Sequence, residues 1–330
     1  MKTLSFTTFL LFLTFFAMPE EVKNVRLPEN FACEKSGFEE TLLRNLCEEE
    51  EIYRVVDMLV FKEYIYVLNW KPVGIYKLNL QGKRIAKKGR RGQGPGEFIY
   101  PGNIKIFKGY IIFLEFNKKI LFFNRELDFI KEVKLSLHYG DFIVNNESQI
   151  IYPVKKLSAT VKYFSVYSED WKKIRSFGEP KTKYDPQKYS YDYAARLAYD
   201  SEKDGIWAAF GDRYDLAYYE KDKQKVELKE KKDYFKKYQE KDKLSGSTIL
   251  KSTGQPINLV VLKDRLYYFY RIDKEFYCDI FNKNSFKLMR RIKLERFYRR
   301  ISHYKNNIFF AIYRGFENEE DNQLYRLELK

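Results

Sequence analysis

A chain of 330 residues in which 45% are hydrophobic and 18% aromatic can bury a sizeable core, and its many Tyr and Phe rings favour pleated sheets. The formal net charge of +15 raises the possibility of a nucleic-acid partner, but the 61 basic residues are interleaved with 46 acidic ones. The charge therefore reads as solvated strand faces, or as attraction to an anionic envelope surface or acidic glycan. Three scattered cysteines and two histidines, His138 and His303, have no metal-ligand spacing.

In chain order, residues 3–18 carry no charge and follow Lys2, with Glu20-Glu21 behind them. This is the pattern of a secretory signal peptide, too short for the roughly 20 apolar residues of a membrane span. Ala17 suits the last position before a cleavage site and Phe15 is bulky two positions earlier, so residues 1–18 are a signal peptide or an uncleaved anchor. The expected location is extracytoplasmic (periplasmic, cell-surface or secreted), where no nucleic acid is expected. Such a compartment permits a disulfide, and Cys33 and Cys47 are close enough to pair, which leaves Cys278 single. Phe38, Leu42, Leu43 and Leu46 stand at near-helical spacing among glutamates and predict a short amphipathic helix within 37–51.

One phrase then recurs: an apolar-aromatic strand, a polar turn, a second strand and a charged third strand. Its anchors are Ile65, Ile111, Ile150, Ile206, Leu266 and Ile308, spaced 46, 39, 56, 60 and 42 residues apart. The shorter spacings match a four-stranded propeller blade of roughly 40–50 residues. The reading is all-β: a six-bladed β-propeller of four-stranded antiparallel blades filling 19–330 as a single domain, with the short N-terminal helix and loop insertions. One blade cannot bury both faces alone, so blades pack radially with charged outer strands solvated. The last strand ends at the C-terminus, so the sixth blade needs an outer strand, and residues 22–27 are the expected source. Two long segments interrupt the repeat: 181–199 with Tyr184, Tyr189, Tyr191, Tyr193 and Tyr199, and 227–243, which reads as a solvated helix or loop.

Between the first and second anchors lies Gly89-Arg90-Arg91-Gly92-Gln93-Gly94-Pro95-Gly96-Glu97-Phe98. A phosphate loop needs Gly-Lys-Ser/Thr and a following helix, whereas here Glu97 brings a negative charge and Pro101 halts the chain. The stretch is a connector between blades: Gly89, Gly92, Gly94 and Gly96 supply unusual backbone angles and Pro95 stiffens the turn. Glu97 is expected to accept hydrogen bonds from loop amides, and Phe98 to plug between blades.

This segment resembles the Gly-x-x-Gly-x-Gly-Pro-Gly-Glu-Phe/Tyr stretch after the first blade of exported bacterial six-bladed β-propeller proteins related to the NHL-repeat group. Residues 65–68 and 74–83 look like that family's first blade. The resemblance implies a fold and an exported setting but no reaction. Some related propellers are lactonases or lyases with a metal in the channel. A zinc lyase site wants several histidines, and a calcium site would draw on Glu115, Asn69 and Asp212 as strand-end candidates.

The function expected is an exported binding module that recognises a protein, peptide or anionic glycan, without catalysis or cofactor. The alternative is a calcium- or zinc-dependent lactonase or lyase acting in the central channel. Binding candidates are Arg90, Arg91, Tyr189, Tyr191 and Tyr193, since insertions on one face of a propeller are where ligands bind. Two basic clusters are further candidates for rims: Lys83, Arg84, Lys87, Lys88, Arg90 and Arg91, and Arg290, Arg291, Lys293, Arg296, Arg299 and Arg300.

Overall fold

The computed structural model describes residues 22–26, 33–35, 37–115, 119–135, 141–153, 163–178, 196–210, 216–229, 237–241, 248–252, 254–296, 298–305, 308–314 and 322–329. The expected leader at 1–18 lies outside them. Among the described residues no helix is long and apolar enough to cross a membrane.

Three strands come first: β1 (Lys23–Arg26), β2 (Cys33–Lys35) and β3 (Phe38–Asn45), followed by the one-turn helix α1 (Leu46–Glu50). Blade one is β4 (Val55–Phe61), β5 (Tyr64–Trp70), β6 (Val73–Asn79) and β7 (Arg84–Lys88). Blade two is β8 (Pro101–Phe107), β9 (Tyr110–Glu115), β10 (Lys119–Phe123) and β11 (Phe129–Lys134). Blade three is β12 (Ile143–Val144), β13 (Ile150–Pro153), β14 (Phe164–Tyr167) and β15 (Lys173–Phe177). Blade four is β16 (Arg196–Asp200), β17 (Gly205–Ala209), β18 (Leu216–Glu220) and β19 (Lys223–Lys229). A hairpin of β20 (Lys237–Lys241) and β21 (Thr248–Ser252) precedes blade five, which is β22 (Gly254–Leu262), β23 (Arg265–Ile272), β24 (Glu275–Asn282) and β25 (Leu288–Leu294). Blade six has β26 (Tyr298–Lys305), β27 (Ile308–Arg314) and β28 (Asn322–Leu329), with β3 paired antiparallel to β28 as its fourth strand.

The molecule is therefore a six-bladed β-propeller of four-stranded antiparallel blades. The innermost strands β4, β8, β12, β16, β22 and β26 each pack on the next, and β26 returns to β4. The reason lies in side-chain layering. Middle strands such as β9, β13 and β17 are apolar nearly throughout and buried, whereas the outer strands β7 and β11 face solvent with Arg, Lys and Glu. Six apolar clusters among the described residues each bridge one pair of neighbouring blades, including blades six and one. Burial of these faces against neighbours holds the ring together.

Two expectations need correction. The helix predicted within 37–51 is a strand up to Asn45, and only Leu46–Glu50 is helical, capped by the Asn45 side chain on the amides of Cys47 and Glu48. The strand that completes blade six is thus Phe38–Asn45. The earlier segment instead adds fifth strands: β1 runs parallel to β19 on blade four, and β2 runs parallel to β25 on blade five. Likewise 227–243, expected as helix or loop, contributes the end of β19 and all of β20.

The chain before blade one is consequently a strap over the outer edges of blades four, five and six in turn. It covers strand edges that would otherwise present unpaired backbone groups. Cys33 and Cys47 sit on different parts of it, and neither they nor Cys278 form a disulfide. The disulfide suggested by their spacing is absent. Cys33 is exposed at the edge of blade five. Cys47 is half-buried, where its Sγ accepts from the Asn322 amide at 2.9 Å. Cys278 is fully buried, and burial pushes its thiol well above the ordinary value. Titration of the native protein with a thiol reagent should show rapid reaction at Cys33, slow reaction at Cys47 and none at Cys278 until denaturant is added. Rapid modification of Cys278 in the native state would contradict this packing.

Candidate functional site

Each blade begins with its innermost strand, so the channel is lined by the first strand of each repeat. Four of these strands carry a β-bulge in their first residues. The register slips between Val55 and Asp57 in β4, Pro101 and Ile104 in β8, Pro256 and Asn258 in β22, and Tyr298 and Arg300 in β26. A bulge leaves ladder groups unpaired and re-aims the next side chain. Here the residues that follow are Asp57, Ile104, Asn258 and Arg300, and all four line one cavity of about 170 Å³. Lys105, Asp141 and Arg196 complete its charged lining. Asp141 lies just ahead of β12 and Arg196 opens β16, so the cavity sits towards the starting ends of the inner strands, where the blade-to-blade connections arrive.

The polar groups form a girdle from blade to blade. The Asn258 amide of blade five donates to the Ile301 carbonyl of blade six. Arg300 of blade six donates to the Val56 carbonyl freed by the bulge in blade one, and its Nε lies 3.5 Å from Asp57 Oδ1. Asp57 Oδ2 in turn accepts from the Ile104 amide of blade two at 2.9 Å. Lys105 of blade two pairs with Asp141 ahead of blade three at 2.9 Å. Blade four contributes Arg196, whose buried Nε has no hydrogen-bond partner among the described residues.

The electrostatics follow from this crowding. Burial pulls the Arg300 guanidinium down to about 10; Asp57 opposes the shift, while Arg196 and Arg299 add to it. Burial also works against the Lys105 ammonium, but Asp141 and Asp57 outweigh it and hold the group above the ordinary lysine value. His303, another lining residue, is open to the solvent of the channel, but the protein crowded around it displaces enough water to push it below its ordinary value, and so it is neutral at neutral pH.

Of the residues expected from sequence, Arg300 of the second basic cluster lines this cavity, and the other described candidates fall elsewhere. The glycine-rich connector joins β7 to β8 at the outer side of blades one and two. Glu97 accepts from the Gly94 amide at 2.9 Å and from Arg90 Nε at 2.6 Å, contacts that hold its carboxyl below the ordinary value. The Phe98 amide donates to the Arg90 carbonyl, and the Gly92 amide to the Phe98 carbonyl. Lys87, Lys88, Arg90, Glu97 and Asp128 line a second cavity there, of about 520 Å³, which shares no residue with the channel cavity. Arg91 makes a backbone bridge to Phe98. Tyr189, Tyr191 and Tyr193 lie outside the described residues, as do Asp212 and His138.

Asn69 and Glu115 are not channel residues. Asn69 is the last residue but one, and Glu115 the last, of the second strand of its blade, because the anchor strands are second rather than innermost. Asn69 accepts from the Arg54 amide and donates to the Pro72 carbonyl, and Glu115 accepts from the Ile99 amide at 2.7 Å. The two basic clusters are largely committed to ion pairs: Arg84 with Glu50, Lys88 with Asp128, Arg290 with Glu34, Arg291 with Asp279, Lys293 with Glu275 and Arg296 with Glu40. Among the described residues, no three of His, Cys, Asp and Glu gather closely enough to hold a metal ion.

A family model described as a 6-bladed beta-propeller matches residues 46–319. No curated protein matches the sequence. Among solved structures, the chain is similar to a Bacteroides fragilis protein described as exported, at 13% identity and a TM-score of 0.64 over 94% of this chain and 100% of that one. It is similar to a DUF4221 family member from Bacteroides vulgatus at 14% identity and 0.65, over 91% and 98%. Virginiamycin B lyase from Staphylococcus aureus matches at 13% identity and 0.52, over 89% and 100%. At such identities the likeness is one of fold alone.

Proposed function

The chain belongs to the DUF5128 family of six-bladed β-propellers, and from that premise we propose that it is an exported binding module for a protein, peptide or anionic glycan. The observation that carries the reading is the girdle. Inner-strand side chains from five blades, with Asp141 just ahead of blade three, converge on one cavity at the end of the channel where the blade-to-blade connections arrive. Export is supported by the charge-free stretch at 3–18 and by the likeness to a protein described as exported.

The metal-dependent lactonase or lyase alternative has less behind it. Asp57 and Asp141, the described carboxylates of the cavity, each already face a cation. The lyase among the similar structures shares the fold and only 13% of the sequence.

Capture experiments test the proposal. The purified protein, immobilised and exposed to envelope extract and to a panel of acidic and neutral glycans, should retain a defined partner across a range of salt concentrations. Failure to retain any partner, together with stoichiometric calcium or zinc in the purified protein, would turn the reading towards the enzyme.

A further inference from the structure

We infer that the channel cavity is a binding site for a single carboxylate group, with Arg196 as its principal contact. The inference rests on the binding-module reading only in taking the channel as the place of recognition.

Three observations carry it. First, the cavity is lined by three cations, Lys105, Arg196 and Arg300, and by two carboxylates, Asp57 and Asp141, while His303 is neutral at neutral pH. One positive charge is left over, which a monoanion neutralises and a dianion overshoots. Second, the hydrogen-bonded girdle runs from blade five through six, one and two to Asp141, and is open at blade four. Arg196 stands in that opening with a buried, unpartnered Nε. A buried N–H without an acceptor, on a guanidinium beside two further cations, is unfavourable, and an incoming anion removes that cost. Third, a guanidinium presents N–H groups in a planar fork that matches the two oxygens of a carboxylate.

Size restricts the guest. A cavity of about 170 Å³ resembles engineered cavities of about 150 Å³ that take a benzene-sized molecule. It admits a small organic acid, or the carboxylate-bearing edge of a sugar acid, with the rest of the ligand towards the mouth.

Isothermal titration calorimetry of the purified protein in low-chloride buffer tests the site, with acetate, glucuronate, inorganic phosphate and glucose as probes. Expected are saturable one-to-one binding of acetate and glucuronate, weaker binding of phosphate and none of glucose. Tighter binding of glucuronate than of acetate assigns the carboxylate to a sugar acid; equal binding assigns it to a free small acid. Arg196→Gln should weaken carboxylate binding at least tenfold without lowering the thermal midpoint, and Arg196→Lys should recover part of it. Arg290→Gln, at the outer edge of blade five, should leave it unchanged.

The site is refuted if neither carboxylate saturates, if phosphate binds more tightly than both, or if Arg196→Gln binds as the wild type does. A captured partner whose retention ignores Arg196 and every carboxylate competitor would sink this inference and leave the binding-module reading standing. Arg196-dependent carboxylate binding without any captured macromolecule would do the reverse.

Discussion

Phe98→Ala is expected to lower the unfolding free energy by about 3–5 kcal/mol, the usual range for emptying a well-packed aromatic site. Phe98 is fully buried and meets Phe113 edge-on with ring centroids 4.6 Å apart, inside the cluster that joins blade one to blade two. The connector that delivers it is built around this ring. Gly89 has φ +73°, and a β-carbon there would stand 2.5 Å from Phe98 Cε1. A Gly89→Val variant should therefore be destabilised as well, by backbone strain and by displacement of the ring. Arg90→Ala makes the control, since Arg90 is mostly exposed and its pairing with Glu97 is open to water. Chemical denaturation followed by circular dichroism measures all three. A Phe98→Ala midpoint equal to that of Arg90→Ala would show that the connector does not hold the blades together.

The largest effect is expected from truncation. A chain starting at Leu46 loses β3 and with it the fourth strand of blade six, and should give no cooperative thermal transition. The loss covers the whole β3–β28 ladder and the Phe38 ring, which packs on Phe269 and Phe309 across blades five and six. The exposed edge of β28 would then favour association between chains. A chain starting at Gly37 keeps β3 and loses only β1 and β2, so it should remain folded with a lowered midpoint. Size-exclusion chromatography and near-ultraviolet circular dichroism distinguish the two. A folded monomer from the shorter chain would overturn the closure described here.

The blades were legible in the sequence because their second strands are unbroken apolar-aromatic runs with a fixed neighbour. All six anchors lie in second strands, from Ile65 in β5 to Ile308 in β27. The innermost strands were not legible, for a physical reason. One edge of each faces the channel, so polar residues interrupt it, as in Asn103-Ile104-Lys105 and Arg300-Ile301-Ser302-His303, and bulges break the alternation. A charged or amide residue recurring in, or just before, the strand ahead of each anchor was the available signal. The N-terminal misreading has a similar origin. The register between β3 and β28 slips at Leu43, between Arg44↔Leu324 and Leu42↔Tyr325. That slip leaves Leu42 about half exposed and spaces the leucines as a helix would. The edge of β28 requires a strand, and tertiary pairing prevails over local pattern. The candidate site was the least legible part, since Asp57, Asp141, Arg196 and Arg300 are brought together only by closure of the ring.

The strap over blades four to six also sets an order in time. Residues 23–26 pair with 226–229, residues 33–35 with 291–293, and residues 38–45 with the strand that ends at Leu329. These early strands are thus among the last to find their places, because their partners are made later. Contacts so distant in sequence make for slow folding. No chain synthesised only part of the way to β28 can close the ring, so a nascent molecule stays open until that strand is released. For a protein proposed to cross a membrane before it folds, that delay keeps the chain threadable until it reaches the compartment where it closes.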